Sequence, residues 1–243
     1  AAARPLPRRR PVTGERDAAE GREAARGFPL AAGAAVGARR IPAVDVARGA
    51  ALLAMFVYHF SFDLMHFRFV SWDVVGNPGW RAFAVGIAGT FVFLSGASLV
   101  LAHGAGIRWL AFARRLALLV AAAALVAAAT LFAMPAAPVW FGILHAIALF
   151  SVLGLPFLFV PVPVVLAAAA GVLALPFLWR SAAFDGPAFL WLGLAETVPP
   201  MVDHEPLFPW FAATLLGIAA GRLAVRHGVP DRLHRRPRRR PVR

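Results

Sequence analysis

The sequence predicts an all-α protein, a polytopic bundle of about six membrane-spanning helices with both termini cytoplasmic. Three observations predict it. Of 243 residues, 60% are hydrophobic and only 15% charged, with a mean hydropathy of +0.70. Soluble domains are nearer half apolar and a quarter charged. The apolar residues fall into six long segments, and the arginines gather at their flanks. There is no Cys, which excludes a disulfide framework, a thiolate nucleophile and Cys-ligated zinc. There is no Lys, so all 25 basic residues are Arg, and with 12 acids the formal net charge is +13.

A spanning helix needs about 20 mostly apolar residues. Six stretches qualify: about 43–65, 82–102, 110–133, 140–158, 161–179 and 207–225. The third is almost wholly Ala, Leu and Val, and the fifth runs from the Pro161/Pro163 turn to Pro176. Phe189 to Leu194 is too short to span and reads as an interfacial or re-entrant segment. The spans belong to a core domain, 40–226, between a disordered Arg-rich tail, 1–39, and a basic tail, 227–243. The weakly apolar Phe28–Ala38 stretch reads as tail and not as a cleaved signal, because Arg39, Arg40 and a stronger apolar segment follow it.

Six crossings put both ends on one side, and arginine chooses the side. One side holds the nine arginines up to Arg40, the nine from Arg222 to Arg243, and Arg108, Arg114 and Arg115, twenty-one in all; the other holds Arg68, Arg81 and Arg180. This positive-inside asymmetry expects an inner-membrane protein held against anionic lipid, with long outer loops at about 66–81 and 180–206. A pI near 11.9 would also suit nucleic acid, but arginines that flank apolar spans do not form a nucleic-acid face, so no nucleic-acid partner is expected.

The first segment is unusual in carrying Asp45, Arg48, His59 and Asp63, with His66 at its outer end. At about 100° per residue these fall within roughly 80° of one another, making a polar stripe. Ionisable groups in a membrane face a cavity or a partner. Asp45 and Arg48 are spaced i,i+3 for an ion pair, which either anchors the helix or serves a ligand. His59 and Asp63 are spaced i,i+4, so the carboxylate reaches the imidazole; the pair is either a packing hydrogen bond or an oriented general base. His145 and Asp203 are expected at a similar depth, converging with them on one outward-facing site. In Ser95-Gly-Ala-Ser98, and at Gly86, Gly89, Gly96 and Ala97, small residues permit close helix packing and, through it, a homodimer.

Four segments in order give a family resemblance. Ile41-Pro-Ala-Val-Asp-Val-Ala-Arg-Gly-Ala through Met55, His59 and Asp63 has the pattern D-x2-RG-x5-M-x3-H-x3-D. It is followed by Phe91-Val-Phe-Leu-Ser-Gly-Ala-Ser-Leu, by Phe141-Gly-Ile-Leu-His145-Ala-Ile-Ala, and by Asp203 with Pro206-Leu-Phe-Pro209-Trp210-Phe and Leu-Leu-Gly217-Ile. Together they resemble the heparan-α-glucosaminide N-acetyltransferase catalytic-domain family in its short bacterial form.

The resemblance implies a membrane acetyltransferase that takes acetyl groups from cytosolic acetyl-CoA and passes them to an amino or hydroxyl group of an extracytoplasmic sugar or glycan. Neutral imidazoles and a carboxylate at His59, Asp63 and His145 would suit zinc, but their spacing is not a recognised metal signature, so no metal is expected. Asp45, Arg48 and Arg115 would hold the donor. His59, Asp63, His145 and His66 are the catalytic candidates, and Trp72, Asp203 and Trp210 the acceptor contacts. Ser71-Trp72 matches the eukaryotic pattern, but Phe69 stands where eukaryotic members carry a histidine, which leaves His66 and His59 as the nearest imidazoles. A proton-coupled transporter using the same stripe is the alternative, against which stands the absence of a visible inverted repeat. Reporter fusions at residues 75 and 190 should both read as extracytoplasmic; a cytoplasmic signal at either overturns the six-span topology.

Overall fold

The computed structural model describes residues 42–228. The tail expected at 1–39 and nearly all of the one expected at 227–243 lie outside the described residues. Six α-helices follow one another: α1 Pro42–His66, α2 Pro78–His103, α3 Trp109–Ala133, α4 Ile143–Gly154, α5 Val162–Leu178 and α6 Leu207–Arg226. Among the described residues there is no strand, only an isolated bridge between Phe141 and His204.

Local chemistry sets the helix ends. Pro78 opens α2 at its first position, and the side chain of Asn77 accepts from Gly79 N (2.8 Å) and Trp80 N (3.4 Å). Pro161 precedes α5. Thr130, near the end of α3, accepts from Val139 N at 3.0 Å and so ties the following loop back onto its helix.

α1, α2, α3 and α6 are long and apolar enough to cross a membrane. α4 has 12 residues and α5 has 17. At 1.5 Å per residue these make about 18 and 25 Å, short of a hydrocarbon core of about 30 Å. The fourth apolar segment was expected to be helical over 140–158. Its helix stops at Gly154, and Pro156 redirects the chain into a 3-10 turn, Pro156–Leu158. Hydropathy counts apolar residues whatever their backbone conformation, whereas Pro supplies no N–H to continue a helix. The short segment near 189–194 is a 3-10 helix, Pro187–Leu192, with Leu190 buried.

α2 and α6 form the centre. They run parallel and cross at small residues. A Cβ at Gly96 would collide with the carbonyl of Thr214, and one at Gly217 with the carbonyl of Phe93; one at Gly221 would lie 3.2 Å from Val100. Of the other small residues expected to pack, Ala97 lies in this crossing, Gly89 faces Trp210, and Gly86 faces open space. α5 packs along α6, and Phe150 of α4 fills the core against Phe211, ring centroids 5.4 Å apart. Arg222 of α6 donates to the carbonyls of Phe157 and Val160, freed where the 3-10 turn ends.

α1 and α3 are peripheral. Only 6% of the most apolar stretch of each is buried, against 50% in α2 and 44% in α6. α1 packs on α2 and α3 packs on α4. The alternating helix directions place the 104–108 turn, Arg48, Arg114, Arg115 and Arg222 at one end. The loops 67–77, 134–142 and 179–206 lie at the other.

The glycine crossing generates a stability prediction. Gly217→Leu drives a side chain into backbone that cannot rotate away, and the cost is expected to exceed the 1–3 kcal/mol typical of overpacking. Gly86→Ala, with nothing within 4 Å, should be neutral or stabilising by up to about 1 kcal/mol. Thermal unfolding in detergent, followed by circular dichroism, checks both; equal melting of the two variants would discount the crossing.

Candidate active site

The loop end is organised around the start of α4. Segment 202–205 runs beside 137–142, with Val202 N donating to Ala137 O (3.3 Å) and Glu205 N to Phe141 O (3.0 Å). This register carries the Asp203 carboxylate to the first turn of α4, where Oδ2 accepts from Ile143 N at 2.9 Å. The N-cap residue itself is Gly142, which has no side chain to cap with. A Cβ there would collide with the Asp203 carboxylate. Three residues on, Nδ1 of His145 accepts from Gly142 N at 3.3 Å. The His145 contact is one half of a capping box; in place of the other half, the Asp203 carboxylate, supplied from sixty residues downstream, takes the N–H of the first helical residue. Since Nδ1 of His145 accepts a backbone N–H, the neutral ring carries its proton on Nε2.

A cavity of about 730 Å³ opens beside this cap. His59 and Asp63 of α1, His145 of α4 and Asp203 all line it, together with Tyr58 and Thr130. A smaller cavity of about 150 Å³ shares Tyr58, His59 and Asp203 and adds His204 and Glu205. The other expected outer residues stand elsewhere. His66 stacks on Phe62, 5.8 Å between centroids; Trp72 is half exposed; Trp210 packs toward α2 at Gly89.

The expected hydrogen bond from His59 to Asp63 is not made: neither a hydrogen bond nor an ion pair joins them. The i,i+4 spacing gives reach, but Asp63 is exposed on a helix packed on one side only, and no second element packs over the pair to hold it together. Asp203 is a second carboxylate on the same cavities as His59, and the charges of His59 and His145 both act on it.

Burial sets the electrostatics of segment 203–205. It pushes the Asp203 carboxyl up, opposed by the Ile143 N–H and by His59 and His145. It pushes Glu205 up to about 9, with the neighbouring Asp203 charge adding to the effect, and it pushes His204 down. At neutral pH Glu205 is therefore a carboxylic acid and His204 a neutral imidazole. Glu205 Oε2 and His204 Nδ1 are buried without a hydrogen-bond partner. Sequence reading missed Glu205, Tyr58 and Gly142; only the clustering of Asp203-His-Glu before an apolar helix hinted at the first.

At the opposite end, Arg48 Nη1 lies 3.5 Å from Asp45 Oδ1, and Arg48 Nη2 donates to Ser98 Oγ at 2.9 Å. Ser98 passes the bond on to Leu94 O. The charge of Arg48 reaches Arg115, and those of Arg108 and Arg115 reach the buried His103. Three guanidinium groups thus share one end with Asp45, an arrangement that favours a polyanion. Ser98, read from sequence as a packing residue, is a partner of Arg48.

Among the described residues no group of three His, Asp or Glu side chains is placed to hold a metal ion. The family model for the heparan-alpha-glucosaminide N-acetyltransferase catalytic region matches residues 40–242. Comparisons with curated proteins and with solved structures gave no match.

Glu205 generates a pH prediction. Its folded pKa lies above its unfolded value of about 4.3, so the folded state holds the extra proton. Its stabilising contribution is full below about pH 4.3 and is lost progressively up to about pH 9. Glu205→Gln imitates the neutral acid. Across pH 5 to 9 its melting temperature should fall less than that of the parent chain; parallel curves would show that Glu205 ionises normally.

Proposed function

The chain belongs to the heparan-alpha-glucosaminide N-acetyltransferase catalytic family, and on that premise we propose that it moves an acetyl group from cytosolic acetyl-CoA to an amino or hydroxyl group of an extracytoplasmic sugar. The observation that carries this reading is that α1 alone bears both halves of the required chemistry, Arg48 at the arginine-rich end and His59 at the cavity. In this reading the arginine-rich end faces the cytoplasm of the inner membrane, as the Arg asymmetry supports. α4 and α5 with their flanking turns complete six crossings.

Arg48, Arg115 and Arg108 bind the donor's phosphates. Guanidinium forks suit phosphate, and Ser98 fixes the Arg48 fork. Asp45 limits the site's repulsion when no donor is bound. When bound, acetyl-CoA supplies an activated acyl carbon whose thiolate is displaced by the acceptor. Arg48 and His59 stand eleven residues apart on one helix, about 16 Å at 1.5 Å per residue, which the donor's pantetheine arm must bridge.

At the cavity His59 takes the proton that the attacking amine or hydroxyl must lose. Asp203, fixed on the α4 terminus, supports the imidazolium so formed. His145 has its proton on Nε2 and acts as a donor to the acyl oxygen as charge grows there. Asp63 shares the cavity without touching the base and serves acceptor binding. His66, stacked on Phe62, has no part in the reaction.

The test is turnover of purified protein with labelled acetyl-CoA and amino-sugar acceptors, with donor binding measured separately. His59→Ala should lose about 10²–10⁴-fold in turnover with donor affinity little changed. His66→Ala should stay near normal. Arg48→Ala should raise the KM for acetyl-CoA and leave the pH profile of turnover in place. Near-normal turnover in His59→Ala would overturn the assignment of the base. Transport by proteoliposomes without any acyl donor would favour the transporter reading instead.

A further inference from the structure

The larger cavity is mostly apolar, and it is not closed on the side of α1 and α3. Both helices line it, yet α1 packs on α2 and α3 on α4, with no comparable packing between the two. Lining residues on both helices remain exposed: His59 and Asp63 on α1, Val126 on α3. Val126 lies seven residues before the end of α3, and His59 seven before the end of α1. At 1.5 Å per residue the opening is therefore about 10 Å inside the loop ends of two helices long and apolar enough to span. An opening there faces lipid chains.

The lining has two characters. His59, Asp63, His145 and Asp203 supply the polar part. Met55, Phe62, Val126, Met134, Leu144 and Met201 supply an apolar wall. A free sugar, hydroxylated all round, leaves such a wall wet and unmatched, and about 730 Å³ is room for much more than a sugar ring. A ligand with a polar head and a hydrocarbon tail satisfies both parts and reaches the opening from the bilayer.

We propose that the acceptor is a lipid-anchored amino or hydroxy sugar, which enters sideways between α1 and α3 with its tail along Phe62, Val126 and Met134 and its head at His59 and Asp203. The proposal rests on the acetyl-transfer reading for its chemistry, but its binding half stands alone.

Full-length protein in lipid nanodiscs is given labelled acetyl-CoA and either methyl β-glucosaminide or dodecyl β-glucosaminide, which share one reacting amine. The dodecyl compound should show a KM at least about tenfold lower. Partition into the bilayer alone would give some preference, so two variants separate the causes. Val126→Trp fills the cleft and should collapse the preference. Leu125→Trp, on a neighbouring exposed position outside the cleft, should leave it intact. A preference unchanged in Val126→Trp, or lost equally in both variants, would overturn the proposal.

A second measurement needs neither turnover nor a variant. Dodecyl β-glucosaminide with a diazirine in its tail should label Phe62 and the stretch from Val126 to Met134, and unlabelled compound should compete. Labelling confined to outward positions such as Leu118 and Leu125 would overturn the cleft. Acetylation of neither glucosaminide, with cleft labelling intact, would refute the acetyl-transfer reading and leave the lipid-tail site standing.

Discussion

A helix that begins inside a membrane protein must find partners for N–H groups that water cannot reach. The start of α4 is such a place, and most of the loop end depends on how it is met. Asp203 takes the Ile143 N–H and His145 takes the Gly142 N–H, while Gly142 leaves the space that the carboxylate fills. One solution to a backbone problem thereby joins the last loop to the fourth helix. It fixes an imidazole in one tautomer and holds a carboxylate beside His59. The short ladder between 137–142 and 202–205 keeps these parts in register.

The two ends of the bundle differ in how they handle charge. At the arginine-rich end positive charges gather near a half-exposed Asp45, and a serine hydroxyl steadies one of them. At the loop end burial forces neighbouring acids apart in their behaviour: Asp203 is held by a helix terminus and two histidines, and Glu205 keeps its proton. Like charges this close cannot both ionise cheaply in a dry site. Glu205 thus offers a hydrogen-bond donor where a second carboxylate would repel an electron-rich acceptor.

Much of the fold was legible in the sequence, because hydropathy over twenty residues is insensitive to detail. Six apolar segments became six helices, most within a few residues of the expected limits. The error fell on α4, where Pro156 and an irregular start shorten an apolar run that hydropathy alone cannot divide. In the site, the depth of His59, Asp63, His145 and Asp203 was readable from their place along the helices, and all four line one cavity. Their pairing was not. Spacing i,i+4 put Asp63 within reach of His59, but direction depends on which neighbour packs where, and Asp203 reaches the site through contacts sixty residues apart. The role of Gly142 was invisible for the same reason.

One feature of α1 bears on how such a protein changes over time. Arg48 and His59 are joined by an uninterrupted stretch of helix, so their separation and their relative angle are locked together. Adding or deleting a single residue between them alters the distance by only about 1.5 Å but turns His59 through about 100°, off the cavity altogether. Length can drift by small steps, whereas phase cannot. On the roles proposed for Arg48 and His59, indels between Gly49 and Tyr58 would be tolerated only in near-whole turns, and adaptation to a longer or shorter donor would have to bend this helix or move its partners rather than resize it.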